Sequence, residues 1–168
     1  MLALLDAVQD KVRRVAGVSK LQAFNDMNLA PLCVRRDIAM LGLIHRTALG
    51  KGPPQFREHF RKHNHDSTLH DPRSDSSSPL IKRSALGLVA IYNMLPPSCR
   101  AAKSVPAFQK SLQEVVTKYA ASGNPQWSNI FSPRLSLTSH PLAMHVLSFG
   151  PAFDLCRRMF HQLPQHSF

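Results

Sequence analysis

Residues 35–52 read RRDIAMLGLIHRTALGKG, and the spacing of apolar side chains around this stretch decides the fold class. At about 100° per residue Val34, Ile38, Leu41, His45, Ala48 and Leu49 fall on one stripe, which predicts a helix with that face turned to a core. Pro31 suits its first position, where a missing N–H has no intrahelical partner, and Gly50, Gly52, Pro53 and Pro54 end it near Leu49. Arg35 and Arg46 project from another side, eleven residues or roughly 16 Å apart, with Ala39 and Gly42 between them. Small residues flanked by two guanidiniums leave room for a partner to approach, and Arg suits bidentate contacts to phosphate. The competing reading is that both arginines solvate an exposed face or pair with carboxylates elsewhere.

The same periodicity extends in both directions. Leu4, Val8, Val12 and Val15 recur at helical spacing with Gln9, Lys11, Arg13 and Arg14 on other faces, and Gly17 is placed to end that helix. Ser19 and Gln22 have the form of a capping box and open a second, short helix toward Phe24. After Pro54, Phe56 and Phe60 sit four apart on the inner side of a short helix, with Arg57, Arg61 and Lys62 outward. Residues 64–79, NHDSTLHDPRSDSSSP, hold one apolar residue and read as a flexible loop.

Beyond the loop, SALGLVAIYNMLPP is apolar on nearly every face, which suits a buried central helix; its shortness leaves a strand as the alternative. Ser104 is placed to cap a further helix whose Phe108, Leu112, Val115, Val116 and Tyr119 form a regular stripe. Pro125, Pro133, Pro141, Pro151 and Pro164 then leave little room for long elements, with a short amphipathic helix over 153–163 as the exception. The expectation is all-α: a small helical domain of about five to six short helices with an irregular Pro-rich tail. Its parts are a basic helical segment over 1–62, the loop over 63–79, a helical pair over 80–122 completing the same domain, and the tail over 123–168.

At 168 residues, 43% of them hydrophobic, the chain has the material for one modest core. A net charge of +11 and a pI near 10.3 make an acidic polymer a plausible partner, although such charge also serves solubility. Cys33, Cys99 and Cys156 are odd in number and far apart, which argues against a disulfide framework and for a reducing compartment. The short apolar run at the N-terminus precedes its basic residues, the reverse of a secretory signal, and no stretch approaches the ~20 apolar residues of a membrane span. The expectation is an intracellular protein, nuclear or cytoplasmic, that is not secreted and has no membrane partner.

Catalytic and metal chemistry is poorly provided for. HFRKHNHDSTLHD holds His59, His63, His65 and His70 with Asp66 and Asp71, and His59 and His63 would stack on one helical face at ligand spacing. Arg61 and Lys62 lie between them, where positive charge opposes a dication, so His59 and His63 are weak candidates and no metal or other cofactor is expected. The chain has no phosphate-binding G-x-x-x-x-G-K-[ST], no G-x-G-x-x-G and no cysteine pair for a zinc finger. His45 lies on the apolar stripe and reads as a partly buried structural histidine, and the scattered carboxylates do not suit a two-metal site. These residues favour a noncatalytic chain.

Several segments in order, LDAVQDKVRRVAGVS, AFNDMNLAPL, VRRDIAMLGLIHRTALGKGPPQF, SALGLVAIYNMLPP, SVPAFQKSLQEVV and IFSPRLSLTSHPL, resemble the region downstream of the polymerase domain in non-LTR, LINE-type retrotransposon reverse transcriptases. The resemblance spans residues 5–142, and RRDIAMLGLIHR is its most specific part. It implies a C-terminal fragment whose polymerase and endonuclease domains lie upstream; the chain has no Asp-Asp pair, so no catalytic residue carries over. In that family the helices after the palm help hold template RNA and target DNA. The implied partners are RNA or DNA, contacted through the backbone with weak sequence preference, together with the upstream reverse transcriptase domains. Arg35, Arg36, Arg46, Lys51, Arg57, Arg61 and Lys62 carry most of the central charge and are the candidate nucleic-acid-binding residues. A helical interaction module with merely solvating charge, and a translated retroelement relic without function of its own, are the alternatives.

Overall fold

The computed structural model describes residues 2–61, 68–72, 81, 84–133 and 135–143. Among them the chain is all-α, with α1 (Leu2–Val15), α2 (Lys20–Met27), α3 (Leu32–Ala48), α4 (Pro54–Arg57), α5 (Val89–Met94), α6 (Pro97–Arg100) and α7 (Val105–Ala121). α4 and α6 are single turns. Short 3-10 turns at Ala85–Leu88, Trp127–Asn129 and Leu137–Ser139 complete the framework.

α3 is the axis of the domain, and its most extensive interhelical contact is with α7. Val34, Ile38, Leu41, Ile44 and Ala48 are buried along one side of α3, and Phe108, Leu112, Val115 and Val116 answer from α7. Each fully buried side chain of this size contributes about 1.5–3 kcal/mol relative to leaving it in water. α3 begins with Pro31 at the N-cap, one residue ahead of the expected position. α7 begins as its sequence predicts, with Ser104 Oγ accepting from Ala107 N–H at 3.3 Å. Gly42 departs from expectation. A Cβ there would lie 2.7 Å from Gln109 Nε2, so the space that Gly42 opens is filled by α7 and offers no approach to an outside partner.

His45 is more deeply placed than its sequence suggests, only 1% exposed. Its ring stacks on Phe108 with centroids 4.1 Å apart. Nε2 faces the Ala102 carbonyl at 2.9 Å and therefore donates; in the tautomer with its proton on Nε2, Nδ1 accepts from the Tyr92 hydroxyl at 3.0 Å. The imidazole thus ties α3 to α5 and to the turn before α7. Burial raises the Tyr92 hydroxyl above its ordinary value, partly offset by the charge of Arg100, which keeps it a donor.

The segment SALGLVAIYNMLPP is helical, not a strand. Ser84 Oγ accepts from Leu86 N–H and starts a 3-10 turn that runs into α5. Leu88, Val89, Ala90, Ile91 and Tyr92 are buried in succession, as a helix enclosed on all sides requires. The expected loop over 63–79 is described only at residues 68–72, and there it is anchored. Leu69 is fully buried, and the Asn93 side chain accepts from its N–H at 2.8 Å and donates to its carbonyl at 2.7 Å.

Residues 123–133 and 135–143 form no long element, as the prolines predict, yet they close the core. Trp127, Ile130, Phe131 and Leu142 are buried, Trp127 stacks on Phe24 of α2 at 5.2 Å, and the Tyr119 hydroxyl donates to the Pro141 carbonyl at 2.7 Å. The Cys33 thiol points to the Ser128 carbonyl at 3.4 Å, and burial raises it above the ordinary thiol range. Cys156 and the expected helix over 153–163 lie outside the described residues.

α1 carries the predicted periodicity but docks by its other side. Leu4, Val8, Val12 and Val15 are 60–82% exposed, while the polar residues meet the domain. Asp6 receives two bonds of 2.9 Å from Arg36 of α3. Gln9 Oε1 accepts from Leu32 N–H at 2.9 Å and Gln9 Nε2 donates to the Ala30 carbonyl at 3.1 Å. Leu32 is the first residue of α3, so its N–H lacks an intrahelical acceptor and Pro31 has no side chain to cap it. Gln9 supplies that cap from another helix.

Candidate nucleic-acid interface

The C-terminal end of α3 gathers the cations that the sequence offers singly. α3 stops at the Leu49 C-cap, and Gly50 follows at φ +76°, a left-handed position that suits glycine. Gly50 N–H donates to the Thr47 carbonyl at 2.9 Å and Lys51 N–H to the Arg46 carbonyl at 3.0 Å. Together these bonds form a Schellman turn. A Cβ at Gly52 would collide with the Thr47 side chain, so this turn folds back directly against the helix it ends.

Two arginines close over the turn. Arg46 Nε donates to the Lys51 carbonyl at 3.0 Å, and Arg57 Nη2, from the last residue of α4, reaches the Gly50 carbonyl at 3.5 Å. Arg46, Lys51 and Arg57 are all exposed. The bond from Arg46 uses only Nε, leaving both of its terminal amino groups for another acceptor. The described ion pairs, Arg13 and Lys20 with Asp10 and Arg36 with Asp6, involve none of Arg46, Lys51 and Arg57, although the Glu58 carboxylate follows Arg57 in the chain. Cations beside a helix C-terminus also interact favourably with its dipole, which stabilises the arrangement without using up its charge.

The remaining candidates separate into different situations. Arg36 is committed to Asp6; their mutual hydrogen bonds hold the Asp6 carboxyl below its ordinary range and raise the guanidinium. Arg35 is exposed near the start of α3, away from the turn. Arg61 is exposed beyond α4, with Nε donating to the Glu58 carbonyl at 3.1 Å and its own carbonyl accepting from His70 N–H at 2.8 Å. Lys62 and His63 lie outside the described residues, and His59 is exposed just after α4. Among the described residues no three His, Cys, Asp or Glu side chains gather as a metal site would require. No helix there is long and apolar enough to cross a membrane.

Sequence reasoning placed Arg46, Lys51 and Arg57 on one list without showing that they share a turn. The Gly50 stop was the available signal, because a Schellman turn reverses the chain direction at the helix end. Asp6 and Gln9 were missed as determinants of α1 docking, because their partners are 21–30 residues away. No protein-family model, curated protein or solved structure matches the chain.

Proposed function

We propose that this chain is a noncatalytic, reverse transcriptase-like retroelement segment that contacts RNA or DNA phosphates through Arg46, Lys51 and Arg57. The retroelement origin rests on the sequence resemblance. The phosphate contact rests on one observation: three exposed cations come together at a single well-formed turn, and none of them takes part in a described ion pair. Guanidiniums fixed through one N–H and open at the rest suit phosphate oxygens, and the contact carries no base readout. Arg35 stands apart near the start of α3, and Arg36 contributes structure by holding α1.

The test is the affinity of the purified chain for a short single-stranded RNA across a salt series. Each phosphate contact contributes about 0.7 to the log–log slope for single strands. Arg46→Ala with Arg57→Ala is expected to flatten the slope by roughly 1.4 and to leave the fold intact. An unchanged slope in the double variant, or no binding by the parent chain at low salt, would overturn the proposal.

A second reading, a helical interaction module, is favoured by a separate observation. The apolar face of α1 is exposed at Leu4, Leu5, Val8, Val12 and Val15 although the helix is docked through Asp6 and Gln9.

A further inference from the structure

Residues 135–143 close the core through a histidine whose ring is bonded on both sides. His140 is fully buried. Its Nδ1 accepts from the Leu142 N–H at 3.3 Å, and a backbone N–H can only donate, so Nδ1 carries no proton. The proton of the neutral ring is then on Nε2, which donates to the Ser132 carbonyl at 3.3 Å. That carbonyl also accepts from Leu135 N–H at 3.4 Å, and the His140 carbonyl accepts from Ala143 N–H at 2.9 Å. One residue therefore fastens both ends of the segment, and Leu142 beside it is buried in the core.

His45 is buried nearly as deeply, but its Nδ1 faces a hydroxyl, which can turn its proton away and accept. At His140 the facing group is a backbone N–H that cannot reverse. A proton added to Nδ1 there sets donor against donor and places a charge where water does not reach. Burial lowers the ring below its ordinary value of 6.5, opposed by the bond to Ser132. No charged side chain among the described residues contributes to that lowering. From α7, Tyr119 faces the segment: its hydroxyl donates to the Pro141 carbonyl at 2.7 Å, and burial raises it, so it stays a donor through the acid range. Lys118 next to it is exposed, and Arg134 lies outside the described residues.

From this arrangement we infer that residues 135–143 form an acid-released clasp, closed while His140 is neutral and opened when Nδ1 takes up a proton and gives up the Leu142 N–H. The direction of the shift sets the window. In the open segment the ring titrates at its ordinary value, so between 6.5 and the lower folded value the open form binds the extra proton. The clasp keeps its full hold above 6.5 and loses it as pH falls through that window, with the opening equilibrium rising about tenfold per pH unit. The basic turn at the end of α3 plays no part in this, so the clasp stands or falls separately from the nucleic-acid contact.

The experiment follows the full chain by NMR from about pH 7.5 down to about pH 5. It reads the imidazole resonances of His140 together with amide hydrogen exchange, expressed as protection over the unstructured rate. His140 is expected to titrate below 6.5, and protection at Leu142 and Ala143 should fall by about tenfold per pH unit beneath that value while the core amides of α3 and α7 keep theirs. His140→Asn retains a side-chain acceptor two residues before Leu142, as in an Asx turn, but does not titrate, so protection at Leu142 should lose its pH dependence. Tyr119→Phe, which keeps His140, removes the bond to Pro141; it should lower protection at Leu142 at every pH and leave the slope unchanged. A His140 that titrates at or above 6.5 would overturn the inference, as would protection at Leu142 that ignores pH. So would an unaltered slope in His140→Asn, or an equal loss of protection through α3 and α7 over the same range.

Discussion

α1 and α3 carry apolar stripes of similar regularity, and they use them in opposite ways. α3 turns Val34, Ile38, Leu41 and Ala48 inward against α7, whereas α1 turns Leu4, Val8, Val12 and Val15 to solvent and docks through Asp6 and Gln9. Periodicity establishes that a helix has two faces. Which face docks depends on what the neighbouring surface presents. Next to α1 that surface holds the Arg36 guanidinium and the uncapped N–H of Leu32, both of which gain more from a carboxylate and an amide than from a valine.

The sharpest way to break this comparison is to truncate one residue from each stripe. Leu41→Ala should cost about 2–5 kcal/mol of unfolding free energy, since Leu41 is fully buried. Val12→Ala should change stability by no more than about 0.5 kcal/mol, as for an exposed site. Urea denaturation followed by circular dichroism measures both, and equal losses would mean that α1 buries its stripe after all. Next in size, Tyr92→Phe removes the hydroxyl that donates to His45 Nδ1 and should cost about 1–3 kcal/mol in the same assay.

Gln9→Ala sharpens the comparison from the other side. Losing the cap on Leu32 should cost about 0.5–2 kcal/mol, and amide hydrogen exchange should quicken through α1 and the first turn of α3 while α7 keeps its protection. The smallest effect belongs to Asp6→Asn, no more than about 1 kcal/mol for a partly exposed pair. Its sign with pH is fixed by the shift. Because Arg36 holds the folded-state value of Asp6 below 3.8, the pair contributes fully above that pH and loses its contribution as pH falls through the folded value. The parent and Asp6→Asn should therefore differ in stability near neutral pH and converge in strong acid.

What was legible in the sequence was local. The α3 stripe, the Ser19 to Gln22 capping box and the Ser104 cap each involve residues within a few turns of one another, and all are present as read. The helical character of the segment before Pro96 was readable except for the choice against a strand, which the 3-10 turn at Ala85–Leu88 and the buried helix at Val89–Met94 decide. What was not legible depends on partners far away in the chain. Leu69, the single apolar residue of a polar stretch, is buried because Asn93 satisfies its backbone from 24 residues on. Trp127, Ile130 and Phe131 lie among prolines that forbid long elements, yet irregular chain fills a core as well as helix does once its backbone groups find partners. Gly42 looked like an open approach to α3 because nothing nearby in sequence announces Gln109. The candidate interface was legible as a list of cations; its concentration at one turn, and the withdrawal of Arg36 to α1, required the folded chain.

The most direct measurement is a titration of the 15N-labelled chain with a short single-stranded RNA, followed through its backbone amide shifts. The expected result is a set of concentration-dependent shifts centred on Arg46, Lys51 and Arg57 that fade with added salt, with the exposed face of α1 unmoved. Shifts confined to α1, or a turn that stays silent while RNA binds elsewhere, would contradict the assignment of that turn as the phosphate contact.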